Sequence, residues 1–208
     1  MGVPEFLVTL LIMGPPMLFS IILHEIAHGL VAKRLGDDTA TKAGRLTLNP
    51  IPHIDPIGSV VLPLILVLSG SQYVFGWAKP VPVRFGNLRN PKRDMMAVAV
   101  AGPATNLILA VICTYLARLF ADMGIEPLKL MAIVGLQINV VLAVFNMLPI
   151  PPLDGSRVLF GLLPLPAARI FSRLEPYGML IVIVLLYAGV LSMVVAPVTR
   201  MLVNVLLS

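Results

Sequence analysis

His24-Glu25-Ile26-Ala27-His28 is the stretch around which the rest of the chain is best interpreted. Side chains four residues apart lie on one face of a helix, so His24 and His28 would present two imidazoles side by side. The surrounding residues are apolar enough to cross a membrane, where an ionisable group costs about 3 kcal/mol and is usually retained for function. Imidazole nitrogens are common zinc ligands. We therefore predict a zinc site inside a membrane.

The composition is that of an integral membrane protein. The chain has 208 residues, of which 58% are hydrophobic and 12% charged, and its mean hydropathy is +0.97. Soluble domains carry about 25% charged residues, and one membrane span needs about 20 apolar residues. Several such runs take up nearly the whole length. We predict an all-α polytopic membrane protein with a single domain over residues 1–208.

The charge and cysteine content narrow the class further. The net charge of +5 comes from basic residues in short loops between apolar runs, as in cytoplasmic loops, so we expect a lipid bilayer and no nucleic acid as partner. Cys113 is the only cysteine, which excludes an intrachain disulfide. No basic region precedes the first apolar run, so we expect that run to be retained and not cleaved as a signal peptide.

Loop charges predict the orientation of the chain. Lys33 and Arg34 end the first apolar segment, so its start is expected outside and the histidines in the cytoplasmic half of the membrane. The loop before the next long span is also basic, and therefore cytoplasmic, because only Asp94 opposes Lys79, Arg84, Arg89, Lys92 and Arg93. Residues 57–75 then enter and leave on one side, so we predict a re-entrant segment or hairpin.

Three further apolar runs, at 95–120, 128–148 and 177–207, are each predicted to cross the membrane once, and the last exits outward. This order of crossings brings Asp154 to the membrane side that holds His24. A complete crossing by the re-entrant segment would place the two on opposite sides, too far apart at about 1.5 Å per helical residue. The zinc hypothesis therefore constrains the topology.

Prolines interrupt the first half of the chain. Pro15 and Pro16 predict a kink or a restart of the first helix. Prolines 50, 52 and 56 predict that residues 37–56 are extended or irregular, since each proline disfavours a helix before it. His53 lies in this stretch. Its position is equally compatible with two settings. His53 could lie near the active site, or it could be a loop histidine near the lipid headgroups.

Asp154 and Glu25 complete the predicted chemistry. Catalytic zinc usually takes three protein ligands and leaves one position open. Asp154 follows an apolar segment and is flanked by prolines and Gly155, which makes it our candidate for the third ligand. Glu25 is placed to take a proton from the activated water and to pass it to the leaving amine. The alternatives are a buried polar cluster that holds helices together and, for Asp154, a helix cap.

Three motifs in order resemble the site-2 protease family of intramembrane zinc metalloproteases, in its short prokaryotic form. They are His24-Glu-Ile-Ala-His28, Ala101-Gly-Pro-Ala-Thr-Asn106 and Asn146-Met-Leu-Pro-Ile-Pro-Pro-Leu-Asp154-Gly155. The resemblance implies one zinc held by His24, His28 and Asp154, with Glu25 as general base. It also implies that the Asn146 amide holds the substrate strand. Residues 49–53 and 77–83 look like the short members, and His53 and Asn106 are further candidates for substrate contact.

The predicted function is hydrolysis of peptide bonds within or near transmembrane segments of membrane-protein substrates. We expect a multi-pass protein of the cell membrane whose active site is accessible from the cytoplasmic side. Two alternatives remain open at this point. A membrane metal-ion transporter would not need Glu25 for chemistry, and a protein that binds membrane segments without cutting them would ordinarily have lost a ligand or the glutamate.

Overall fold

A computed structural model describes residues 3–69 and 76–208, with side chains from residue 8 onward. The described residues contain helices and no strand. The helices in chain order are α1 Val3–Arg34, α2 Thr39–Lys42, α3 Leu62–Leu68, α4 Pro91–Asp122, α5 Glu126–Asn146, α6 Asp154–Leu162, α7 Leu165–Ser172, α8 Gly178–Tyr187 and α9 Val190–Leu207. Within the described ranges, 5 segments are long and apolar enough to cross a membrane. The predicted fold class, an all-α polytopic membrane protein, is confirmed.

Helices α1, α4, α5 and α9 form the bundle. Helices α4 and α5 form an antiparallel pair, α1 packs against both, and α9 packs mainly on α5. Between α4, α5 and α9, Ala110, Leu136 and Val140 form a fully buried apolar cluster. The small side chain of Ala110 lets the helices approach closely, as is common inside membranes. Outward faces, such as Leu11 and Phe19 on α1, remain exposed, as expected for surfaces that contact lipid.

Helix α1 does not restart at its two prolines. It is continuous from Val3 to Arg34 with Pro15 and Pro16 inside it. A proline removes its own N–H from the helix ladder, but neighbouring helices and hydroxyl groups can compensate within a membrane. The carbonyls that Pro15 and Pro16 leave without a helix donor are those of Leu11 and Ile12. Of the two predicted outcomes, a kink or a restart near Pro15, the continuous helix excludes the restart.

The stretch from residue 177 to 207 is divided into two helices, although the sequence predicted one span. Helix α8 ends at Tyr187, and Gly189 has a φ of +75°, a conformation that favours glycine. Helix α9 then begins at Val190. The Arg118 guanidinium donates to the Leu207 carbonyl (3.4 Å), so α9 ends beside the C-terminal part of α4. The break changes the helix count, and the side of the membrane on which the chain exits stays a prediction.

The residues at the start of the predicted re-entrant segment and just after its end contact each other, at Gly58 and Trp77. A π-helical turn, Pro56–Val61, leads into α3, and together they span at most about 20 Å, less than the about 30 Å of a bilayer core. The Trp77 N–H then donates to the Gly58 carbonyl (3.1 Å). A Cβ on Gly58 would lie 2.3 Å from the Trp77 ring, so this close return requires glycine. Residues 70–75 of the segment lie outside the described residues.

Residues 37–56 are largely irregular, as predicted, apart from α2 and a 3₁₀ turn at Ile51–His53. Asp37 anchors this stretch and is completely buried. Its carboxylate accepts hydrogen bonds from the Thr39 N–H and hydroxyl, the Arg84 N–H (2.7 Å) and the Asn87 amide (2.9 Å). Burial alone would raise the pKa of Asp37, but these hydrogen bonds outweigh it and lower the pKa below its usual value. The charged form of Asp37 therefore ties the end of α1 to the loop before α4.

We expect Asp37→Asn to lower the free energy of unfolding by about 1–3 kcal/mol at neutral pH, because an amide NH₂ would face donors that need an acceptor. A lowered pKa in the folded state stabilises the protein above the usual pKa of about 3.9 and loses that effect as pH falls through the lower folded-state value. The gap between wild type and Asp37→Asn should therefore narrow below about pH 4. Thermal unfolding in detergent from neutral pH down to pH 3 measures both effects. The neighbouring exposed Asp38, changed to Asn, is the control, and an equal loss there would contradict the anchoring role.

Candidate metal centre

Three potential ligands from two distant parts of the chain meet at one point. His24 and His28 lie one turn apart on α1, and Asp154 is the first residue of α6. Asp154 Oδ2 is 3.2 Å from His24 Nε2, Asp154 Oδ1 is 3.3 Å from His28 Nε2, and the two Nε2 atoms are 3.0 Å apart. Among the described residues, this is the group of histidine, cysteine and carboxylate side chains whose ligand atoms all lie within 4.8 Å of one another.

The hydrogen bonds of the two imidazoles show that the group is suited to a cation. His24 Nδ1 lies 2.6 Å from the Asn106 Oδ1, and His28 Nδ1 lies 2.7 Å from the Val98 carbonyl oxygen. Both oxygens can only accept, so each Nδ1 carries the hydrogen and each Nε2 presents a lone pair. Two lone pairs and the Asp154 carboxylate therefore converge, and Asp154 Oδ2 is buried without a hydrogen-bond donor. A metal ion would supply the positive charge that this arrangement lacks.

The turn between α5 and α6 delivers Asp154 to the histidines. The Leu153 N–H donates to the Ile150 carbonyl, and the Ser156 N–H donates to the Leu153 carbonyl, which starts α6 at once after the turn. A Cβ on Gly155 would lie 2.2 Å from the Met147 carbonyl oxygen. Only glycine lets the start of α6 pack this closely against the end of α5. Gly155 thus holds Asp154 in reach of α1.

Gly102 of α4 forms the third wall of the centre. A Cβ at this position would lie 2.5 Å from His24 Cε1 and 2.5 Å from His28 Nε2. The absent side chain therefore leaves the space in which the two rings meet. Since the next turn of α4 carries Asn106, one face of this helix both makes room for the rings and orients one of them.

We expect Gly102→Ala to weaken zinc binding by at least about 10-fold, because the added methyl group displaces a ligand ring and misplaced ligands commonly cost 10–100-fold in affinity. Competition with a chromogenic chelator measures the change. Gly14→Ala on α1 is the matched control, because its Cβ would meet only Leu10 Cδ1 at 3.9 Å. Unchanged zinc affinity in Gly102→Ala would show that the rings do not need this space.

Glu25 lies beside the centre and is held by the backbone of the segment before α4. Its Oε2 accepts a hydrogen bond from the Val81 N–H (2.6 Å). The same segment is anchored two residues earlier, where the Lys79 N–H donates to the His53 carbonyl (2.9 Å) and the Arg45 guanidinium donates to the Lys79 carbonyl (2.6 Å). Glu25 therefore has one oxygen fixed by the protein, and it lies on the helix that carries both histidines.

The candidate substrate-contact residues lie in three different settings. Asn146 is the last residue of α5, is half-buried, and donates to the Leu142 carbonyl (2.9 Å). His53 is buried, and its Nε2 lies 3.0 Å from the Thr47 carbonyl, outside the group of metal ligands. Asn106 is completely buried and hydrogen-bonded to His24. Contact with substrate stays a prediction for all three residues, and Asn106 differs from the other two in its hydrogen bond to His24.

Sequence reasoning singled out Asn106 but not its link to His24, and it did not identify Ser20 or Asn139. Ser20, Asn106 and Asn139 are all buried and are joined by hydrogen bonds. The signal that could have found two of them is their spacing: Ser20 precedes His24 by one helical turn, and Asn106 follows Gly102 by one turn. Asn139 carries no such signal, because the residues one helical turn away from it, Gly135, Leu136, Leu142 and Ala143, are apolar.

Helices that can span a membrane, with a site of two imidazoles, a carboxylate and an adjacent glutamate, define the class of membrane metallopeptidases. Comparison with known proteins agrees. Residues 120–189 match the model of Peptidase family M50. YwhC of Bacillus subtilis, provisionally named a zinc metalloprotease, is 40% identical over 188 residues, which are 87% of this chain and 82% of that protein. The chain belongs to peptidase family M50, the site-2 protease family of zinc metalloproteases.

Two other relatives carry similar provisional names. Rip2 of Mycolicibacterium smegmatis is 35% identical over 182 residues, which cover 84% of this chain and 66% of Rip2. MJ0611 of Methanocaldococcus jannaschii is 30% identical over 154 residues, which cover 74% of this chain and 70% of that protein. The chain thus spans most of YwhC but slightly less than two thirds of Rip2. No solved structure matches the chain.

Proposed function

We propose that the chain is an intramembrane zinc endopeptidase that holds one zinc ion between His24, His28 and Asp154 and uses Glu25 as its general base. The observation that carries the proposal is the convergence of two Nε2 lone pairs and a carboxylate, with Glu25 one residue from the first imidazole. Three protein ligands of these kinds are typical of a catalytic zinc site, which keeps a further position open.

Hydrolysis of a peptide bond at this site would need a Lewis acid, a general base and a charge that balances the metal. A zinc ion held by His24, His28 and Asp154 would act as a Lewis acid toward the scissile carbonyl and would lower the pKa of its water to about 7. Glu25 accepts the proton of the attacking water and delivers it to the leaving nitrogen. The Val81 N–H holds one carboxylate oxygen of Glu25, so the other oxygen is left for the proton. Asp154 balances part of the positive charge of the metal.

The substrate is proposed to be the transmembrane segment of a membrane protein, partly unwound before cleavage. A helix satisfies its own carbonyls, so an extended substrate needs new hydrogen-bond partners. The N–H groups of Trp77, Lys79 and Val81 already donate within the protein. Pro80 and Pro82 have no N–H, so the opposite edge of this segment presents mainly acceptors. Substrate N–H groups would therefore bind there, with the Asn146 amide as a further contact.

We propose that the site opens to the cytoplasm from within the cell membrane. The basic pair Lys33–Arg34 ends α1 about one and a half turns beyond His28, and basic loops are retained on the cytoplasmic side. Asp154 begins α6 after the turn at residues 147–153 that follows α5, and the basic Arg157 comes one turn later. Water and substrate would reach the metal from that side.

The experiment that tests the proposal is zinc analysis of the purified protein together with cleavage of model transmembrane peptides. We expect one zinc per chain, cleavage that stops after treatment with a chelator, and recovery when zinc is returned. Zinc flux into sealed vesicles without peptide cleavage would favour a transporter. Zinc binding with no cleavage of any peptide in a broad panel would favour a protein that binds membrane segments without cutting them.

A further inference from the structure

We infer that Asn139, which touches no metal ligand, is a positioning residue that sets the tautomer of His24 through Asn106. The inference rests on the proposed function, because it concerns how His24 is prepared for zinc. It starts from a chain of hydrogen bonds that links α5 to α4 and α1 in the centre of the bundle. Each member of this chain is nearly or completely buried, and Asn106 has no exposed surface.

The donor–acceptor order of these hydrogen bonds is fixed at Ser20, at the end farthest from the metal centre. The Ser20 hydroxyl donates its only hydrogen to the Pro16 carbonyl (2.6 Å), so the Ser20 oxygen is left to accept. The Asn139 NH₂ group donates to this oxygen (2.8 Å) and also to the Gly135 carbonyl (2.8 Å). Two acceptors therefore hold the NH₂ group of Asn139 on one side. The Asn139 Oδ1 consequently faces α4.

The orientation of Asn139 determines that of Asn106. The Asn106 NH₂ group donates to the Asn139 Oδ1 (2.8 Å) and lies 3.3 Å from the Ser20 carbonyl. A flipped Asn106 would place its Oδ1 against the Asn139 Oδ1, and two buried acceptors would face each other without water to relieve them. Asn106 is therefore held with its oxygen toward His24.

The hydrogen bond between Asn106 and His24 determines which ring nitrogen of His24 can bind zinc. The Asn106 Oδ1 lies 2.6 Å from His24 Nδ1 and can only accept, so Nδ1 must carry the hydrogen. The lone pair of His24 is then on Nε2, which faces Asp154 at 3.2 Å. The opposite tautomer would place a hydrogen on Nε2 and block zinc. Asn139 therefore favours the zinc-binding form of His24 from a neighbouring helix.

Asn139→Leu tests the inference, because leucine has a similar volume and offers no acceptor to Asn106. We expect its zinc dissociation constant to rise about 10-fold, at the lower end of the 10–100-fold effect of lost outer hydrogen bonds on metal sites. Asn139→Asp in its protonated form keeps an O–H donor toward Ser20 and Gly135 and an oxygen for the Asn106 NH₂ group, so it should stay within about 3-fold of wild type. Chelator competition gives the affinities, and the visible absorption of the Co²⁺-loaded protein reports whether the histidine nitrogen still coordinates.

Two control variants separate positioning from loss of stability. Thr114→Val removes a buried hydrogen bond within α4, from the Thr114 hydroxyl to the Ala110 carbonyl. This bond is separate from those that link Ser20, Asn139, Asn106 and His24. Leu136→Ala leaves a cavity at a fully buried position of α5, near Asn139 but packed toward α9. Both should lower the unfolding temperature and leave zinc affinity within about 3-fold of wild type, whereas Asn139→Leu should lose affinity beyond its loss of stability.

The outcomes distinguish this inference from the proposed function. Wild-type affinity in Asn139→Leu would overturn the inference and leave the proposed zinc site intact. Weakening of zinc binding in Asn139→Leu, Asn139→Asp and Leu136→Ala alike, in proportion to lost stability, would also overturn it. If wild type itself binds neither zinc nor cobalt, the proposed function fails, and the inference fails with it.

Discussion

Glu25→Gln is expected to keep its zinc and to lose peptide cleavage almost completely. Glutamine has the shape of glutamate and still accepts the Val81 N–H bond, so the helix and the two imidazoles keep their places. It cannot take up a proton, and loss of a general base commonly lowers kcat by about 10²–10⁴-fold. The measurement is kcat on a model transmembrane peptide, with zinc content determined on the same preparation.

Glu126→Gln at the exposed start of α5 is the matched control for this substitution. It removes one carboxylate from the opposite end of the bundle and should leave kcat unchanged. Cleavage by Glu25→Gln at a rate within about 10-fold of wild type would exclude Glu25 as the general base, given the size of that effect in other enzymes. Loss of zinc from Glu25→Gln would instead mean that Glu25 helps to hold the metal.

Asp154→Asn is expected to lose zinc itself. The substitution keeps the size of the side chain but removes the negative charge that faces both Nε2 atoms at 3.2 and 3.3 Å. An amide NH₂ group would also point a donor at the metal position. We expect zinc affinity to fall more than about 100-fold, beyond the range produced by a lost outer hydrogen bond. Cleavage should disappear at ordinary zinc concentrations and return only in part with excess zinc.

Asp122→Asn provides the control for Asp154→Asn, since Asp122 ends α4 at an exposed position far along the helix from Gly102. Its zinc affinity and its unfolding temperature should match those of wild type. If Asp154→Asn bound zinc as tightly as Asp122→Asn, Asp154 would not be a ligand, and its place would be explained by the start of α6 alone.

Much of the fold could be predicted because each membrane span requires a continuous run of apolar residues, which is visible in the sequence. Runs of apolar residues indicated the helices, and the orientation that the loop charges indicate stays a prediction. The structure differs from the sequence prediction in two details of the helices. Helix α1 passes through Pro15 and Pro16 without a restart, although each proline removes a donor from the helix. The final span was divided at Gly189, although the composition is apolar on both sides of the break.

The sequence by itself determined the membrane class and three of the four chemical groups of the proposed site. His24, Glu25 and His28 are recognisable together because one helical turn relates them, and Asp154 required an argument from topology. Tertiary structure alone decided which atoms of these residues face one another. Asn106 and Asn139 hold His24 in one tautomer, and Gly102 leaves room for the rings, through contacts between residues 33 to 82 positions apart. No local pattern encodes such contacts, because they exist only once the helices have packed.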